Sequence, residues 1–465
     1  VLKQFNGFYY YALQHLANPV NRPVFKSALL ITVFVIFFCP LSSKAFSVFA
    51  HMAIIDASWK KSIVPLLEEK YPNATDEELR VAHSYAYGGS LMPDMGYFPF
   101  GSVYFTNLVH YVRSGDFMQN LVAQAQNINE YAFALGAVSH YLTDEYGHSL
   151  ATNIAEPIVY PKVAKKFGRI VTYEEYPIYH SRMEFGFDVL QMARGNYESQ
   201  AYHDFIGFNV AKPVLERAFM LTYGQDMNEV FNGKLDLAIS TFRWSVRSLL
   251  PGLTRTAWAL KKDDIQKLNQ RMTSRKFHYR IKRREYFHTY GRERDEPKLG
   301  NRIMAFIISI LPKIGPLKAL KFSPPGAVAE KLFIKSFDTT LVCYNQILTG
   351  IKNGKQLQLP DMDFDTGKPT LQGEYGLADL TYSQLVLKLQ DNKFDDVTPP
   401  LQSNILSFYG KGDTTSKVTE YKKYKVDWKK TYLALQQLKT TKAIPVDSLK
   451  LPIDTTVKAT ASKTK

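Results

Sequence analysis

Cysteine is almost absent: Cys39 and Cys343 are the only two in 465 residues. A single pair cannot staple a chain of this length, and without CxxC spacings there is no thiolate cluster, so any metal here is held by nitrogen and oxygen. Strand-like alternation is nearly missing from His51 to about Arg255, which argues against a sheet there. Acidic residues are missing from the first 45 positions, where Lys3, Arg22, Lys26 and Lys44 carry all the charge. Long apolar runs are missing as well: the densest, SALLITVFVIFFC at 27–39, falls short of the ~18 residues that span a bilayer. No repeat of useful length is present.

What remains describes a folded protein. Hydrophobic residues make up 45% and charged residues 22%, which excludes wholesale disorder. The length favours two domains, or one large domain with an appendage. A formal charge of +15 attracts anionic partners such as lipid headgroups, nucleic acid or an acidic surface. The densest basic patch, residues 275–298, reads as a solvated, charge-laced helix or linker.

The N-terminal segment has the anatomy of a secretory signal peptide with a long n-region: Arg22 and Lys26, the apolar run, then Ser43-Lys44-Ala45 as a small-x-small junction. The competing reading is an uncleaved anchor. Export to the periplasm, the cell envelope or the medium is expected. Cleavage after Ala45 makes Phe46 the first residue, five positions before His51. Its α-amine, with a pKa near ~8, and its carbonyl can then chelate a metal.

Residues 46–265 read as a compact all-α, multi-helix domain. Residues 266–300 read as a basic linker or helix, 301–450 as a mostly helical C-terminal extension offering packing but little chemistry, and 451–465 as a polar tail. DEELRVAHSYAYGG is expected to end a helix at its glycines. Residues 91–102, LMPDMGYFPFGS, are expected to form a loop carrying Asp94. Tyr97, Phe98, Phe100, Tyr141 and Tyr146 lie near candidate ligands and read first as packing residues, second as contacts for acyl chains or bases.

The chemistry concentrates in HYLTDEYGH, where His140, Asp144 and His148 follow one another at spacings of four. On a helix, residues four apart stack with a rise of ~6 Å, so neighbouring pairs can share an ion, whereas the outer two, ~12 Å apart, cannot. The run therefore predicts two neighbouring ions with Asp144 between them. His180 and Glu184 repeat the spacing, and His110 lies on the apolar edge of another helix. This mixture of imidazoles and carboxylates suits zinc better than magnesium or calcium. His15, His83 and His203 have no partner at ligand spacing, and His278 and His288 fall in the basic patch; all five read as non-ligands.

GAVSHYLTDEYGHSL, with FSVFAH, PDMG, LVHYVRSGDF and HSRME in that order, resembles the bacterial zinc-dependent phospholipase C family. That family is related to the catalytic domain of glycosylphosphatidylinositol-specific phospholipase D and distantly to S1/P1 nucleases. The resemblance covers about residues 46–250. It implies a helical fold around three zinc ions: one on Asp94, His110, His140 and Asp144, a second on Asp144, His51 and the amine and carbonyl of Phe46, and a third on His148, His180 and Glu184. It also implies phospholipase C-type hydrolysis of a phospholipid or other phosphodiester by metal-activated water, with Asp94 as the catalytic group orienting or deprotonating that water. Peripheral contact with an anionic membrane fits this reading, and nothing in the sequence calls for a protein partner. The alternatives are an S1/P1-like nuclease and a non-catalytic, zinc-stabilised envelope protein. Phe46-Ser47 stands where the family commonly has Trp-Gly. If Phe46 is a ligand, a chain retaining residues 1–45 should turn over substrate poorly beside one starting at Phe46, as measured by initial rates on the two forms.

Overall fold

The His140 run lies on the central helix, Ile128–Gly147, whose first turn is closed by the Asn127 side chain accepting from the backbone N–H groups of Asn129 and Glu130. Small residues dominate its middle: Ala132, Ala134, Gly136 and Ala137, all buried. Against them lies the helix Asp76–Leu91, opened by a reciprocal capping box between Thr75 and Glu78. These two helices meet at backbone distance. A Cβ on Gly136 would sit 2.1 Å from the Ala86 carbonyl oxygen, and one on Gly89 1.9 Å from that of Phe133.

This contact overturns one expectation. Gly88 and Gly89 do not end their helix, which runs on to Leu91; they are glycines because a neighbouring backbone occupies the space of a side chain. Met92–Tyr97, expected as loop, is a turn of 3-10 helix with a proline in its first positions. Proline is tolerated there because the first N–H groups of a helix have no partner within it.

The computed structural model describes residues 48–197, 208–246, 250–277, 321–410 and 426–452, which fall within one compact unit. They are almost entirely helical; the sheet among them is a two-stranded antiparallel pair, Met362–Asp363 with Lys368–Pro369. Around the central pair stand Val48–Ser58, which carries His51, Val103–Tyr111, which carries His110, and Pro177–Arg194, which carries His180 and Glu184. Ala327–Lys352 lies along the central helix: the Tyr344 hydroxyl donates to the Leu135 carbonyl at 2.9 Å and that of Thr340 to Leu142 at 3.5 Å. The boundary read at 265 falls inside the helix Leu250–Leu268. Among the described residues no helix is long and apolar enough to cross a membrane. The signal segment, Phe46, and most of the basic patch and the apolar run after it lie outside the described residues.

A methyl group at the central crossing must push two backbones apart. Gly136→Ala is therefore expected to cost about 1–3 kcal/mol, read as a lower denaturant midpoint. Gly147→Ala, with nothing within 4 Å of the added carbon, should leave stability unchanged or raise it.

Candidate metal centre

Asp144 is buried near the C-terminal end of the central helix, and three imidazoles from three helices surround it. Its Oδ2 lies 3.1 Å from His140 Nε2 and 3.4 Å from His110 Nε2, while its Oδ1 lies 3.3 Å from His51 Nε2. The two oxygens of one carboxylate thus face different histidines. Asp94 joins from its 3-10 turn, with Oδ1 3.5 Å from His110 Nε2. His51 and His140 stack with ring centroids 4.4 Å apart. Ligand atoms of His51, Asp94 and His140 lie within 4.8 Å of one another, as do those of His110, His140 and Asp144.

A third group, His148, His180 and Glu184, meets the same criterion. Glu184 Oε1 is 3.1 Å from His148 Nε2 and 3.4 Å from His180 Nε2. Spacing alone had put Asp144 between His140 and His148. Instead His148, at the start of a π-helical turn, directs Nε2 at Glu184, and Asp144 turns its second oxygen to His51.

Whether these residues suit zinc can be judged from their rings. The Nδ1 atoms of His110, His140 and His148 lie 2.8, 2.8 and 3.0 Å from the backbone carbonyls of Thr106, Ser90 and Phe364. A carbonyl only accepts, so each Nδ1 carries a proton, and a ring that gives up any proton on Nε2 presents that lone pair to the centre, as in histidine metal ligands. His140 Nε2 is buried without a hydrogen-bond partner, its carboxylate neighbour lying near but off the hydrogen-bond line. A ring nitrogen oriented in this way and left unbonded fits a metal ligand, and the N/O donor set fits zinc.

Residues 50–233 match the model of the zinc dependent phospholipase C family. Over this span the chain is similar to that family. No curated protein and no solved structure matches the chain. The matched span includes every ligand candidate except Phe46, and the described candidates fall into three metal-capable groups.

Electrostatics follow from this crowding. Burial opposes the charge on His110, but Asp144 and Asp94 outweigh it and push the ring up to about 10. His148 is likewise opposed by burial and pushed up to about 10 by Asp144 and Glu184. Burial alone would raise Glu184, yet His180 and His148 bring it down to about 2. Asp144 is held well below the carboxylate range against burial, mainly by His140 and His148. His51 is lowered, by burial first and then by the His140 imidazole.

A pocket beside these groups favours the packing reading of the aromatic residues. Its lining includes His51, Asp144, His148 and Glu184 together with Ile54, Phe187, Phe333 and Phe337. None of the five aromatics singled out in the sequence lines it. Phe98 packs edge-on against Phe242 at 4.9 Å, and Tyr141 is buried with its hydroxyl donating to the Pro360 carbonyl. Phe187 keeps helical register with the Glu184 helix and was available to periodicity; Phe333 and Phe337 come from a distant helix and carried no local signal. His83, set aside as a non-ligand, stacks on Trp59 at 3.8 Å and faces Asp56 at 3.3 Å. His15, His203, His278 and His288 lie outside the described residues.

Since His110 and His148 hold protons at neutral pH in the metal-free protein, zinc must displace them. Zinc loading at pH 7 should release about one proton from each ring, and affinity should rise with pH until about 10. Calorimetric titrations in buffers of different ionisation enthalpy measure that release.

Proposed function

We propose that this zinc-dependent phosphodiester hydrolase is a phospholipase C acting on phospholipids. The observation that carries the reading is the mixed lining of the pocket, where the candidate ligands His51, Asp144, His148 and Glu184 occur together with Ile54, Phe187, Phe333 and Phe337. A phosphodiester head would meet the polar residues of this lining and the apolar part of a lipid the aliphatic and aromatic ones. Among the described residues the lining holds no lysine or arginine, whereas a nuclease needs a cationic groove along the phosphate backbone.

The residues that would hold zinc are Asp94, His110, His140 and Asp144; Asp144, His51 and the start of the chain at Phe46; and His148, His180 and Glu184. Zinc held there supplies Lewis acidity toward a phosphoryl oxygen and lowers the pKa of a bound water. Asp144 sets the spacing between the first two groups, since its Oδ1 and Oδ2 face His51 and His140 separately. The carbonyls of Thr106, Ser90 and Phe364 hold the imidazoles in orientation. Asp94 is the most exposed of the first group, its side chain 16% accessible, and so is placed to orient the incoming water or take its proton. The pocket hydroxyls of Thr143, Ser336 and Thr340 donate to carbonyls of their own helices. That commitment favours water over a side-chain nucleophile. Export, and peripheral contact with an anionic membrane, belong to the same proposal and draw on the apolar run at 27–39 and the +15 charge.

The chain beginning at Phe46, loaded with zinc, should hydrolyse phosphatidylcholine or a glycosylphosphatidylinositol but not single-stranded DNA. Chelation should abolish turnover and added zinc restore it. Asp144→Asn should lower kcat/KM by about a hundredfold or more and deplete two zinc equivalents together. Cleavage of DNA alone would replace the lipid with a nucleic acid substrate. No turnover at full zinc content would favour a structural zinc protein.

A further inference from the structure

The segment around the small sheet, Met362–Pro369, lies outside the family span of residues 50–233, yet it is tied to two of the helices that carry metal-centre histidines. Ser114 Oγ, just beyond the His110 helix, donates to the Met362 carbonyl at 2.7 Å and accepts from the Met362 N–H at 2.9 Å. The Phe364 N–H donates to the His110 carbonyl at 3.3 Å. On the other side, Asn153 Nδ2 donates to the Asp365 carbonyl at 2.6 Å. Gly367 turns with φ +64°, and a Cβ there would be 2.8 Å from the Glu145 carbonyl. The Phe364 ring packs 5.1 Å from both His110 and Tyr141.

These ties fix the two groups that meet His148. Its Nδ1 is 3.0 Å from the Phe364 carbonyl and 3.5 Å from Asp365 Oδ1. The other oxygen, Asp365 Oδ2, accepts from two hydroxyls, Tyr111 at 2.7 Å and Tyr375. Two tyrosines on one oxygen fix the carboxylate's rotation and leave its partner facing the imidazole.

We propose that Asp365 is a positioning residue for the His148, His180 and Glu184 metal group. Clamped by Tyr111 and Tyr375, it holds the Phe364 carbonyl and its own Oδ1 against His148 Nδ1. It thereby keeps the Nδ1 proton in place, aims Nε2 at the metal position and raises the basicity of the ring. This rests on the reading of that group as a metal site. It makes the third metal of a zinc dependent phospholipase C depend on a strap that the family span does not contain.

The test measures zinc stoichiometry and affinity by competition with a graded series of chelators on the full chain, with helical circular dichroism as the fold check. His148→Ala identifies the equivalent that belongs to this group. Asp365→Ala should weaken that equivalent about 10- to 100-fold and leave the others unchanged. Asp365→Asn, which removes the charge, and Tyr375→Phe, which loosens the clamp, should weaken the same equivalent by less. These two variants decide the matter if Asp365→Ala does not fold. Unchanged affinity in both, or equal weakening of every equivalent, would overturn the proposal. If His148→Ala removes no zinc while the protein still binds it elsewhere, the metal reading of this group fails first and the positioning role falls with it.

Discussion

A buried carboxylate among imidazoles is the constraint around which this protein is arranged. Taking the charge of Asp144 out of water costs several kcal/mol unless opposite charge and oriented donors surround it. The fold supplies these from three directions, through His51, His110 and His140, each on a different helix. His140 shares the helix of Asp144, and its ring is oriented by Ser90, in the last turn of the neighbouring helix. That carbonyl is within reach because Gly89 and Gly136 let the two backbones touch. A packing feature of the core and the orientation of one ligand are therefore the same fact seen at two distances.

How much of this was legible in the sequence depended on distance along the chain. The pairs His140/Asp144 and His180/Glu184 are visible because four residues bring side chains to the same helix face whatever else the fold does. Asp94, His110 and His51 carry no such local signal; a loop and an apolar helix edge singled out the first two, the resemblance grouped all three, and the structure brings them to the Asp144 cluster. Spacing named the wrong second neighbour for Asp144, because helical periodicity cannot tell that His148 is drawn to Glu184 and to Phe364. The glycines at 88 and 89 were misread for a related reason: the same residue serves a helix end and a close backbone approach, and only the partner distinguishes them, the Asn209 backbone for Gly88 and the central helix for Gly89.

The C-terminal region was the least legible. Phe364 and Asp365 lie in a turn-rich stretch more than two hundred positions from His148, and nothing in DMDFDTG points at an imidazole. The same is true of Phe333 and Phe337, which contribute apolar lining to the pocket. The described ligand candidates come from the matched span, whereas Phe333, Ser336, Phe337 and Thr340, which line the pocket beside them, come from residues after it. Under the proposed function, substrate preference is the property most exposed to that second set.

On the helix Pro177–Arg194, His180 and Glu184 are followed four residues later by Asp188, whose carboxylate accepts the Phe49 and Ala50 N–H groups at 3.2 Å each. The sequence reading passed over this residue, though it continues the same interval. One rigid rod thus grips the histidine and glutamate of one ion group near its beginning and, two turns on, the first turn of the segment bearing His51. Sliding or tilting this rod would shift both groups at once, so neither can be retuned by evolution or by design without disturbing the other.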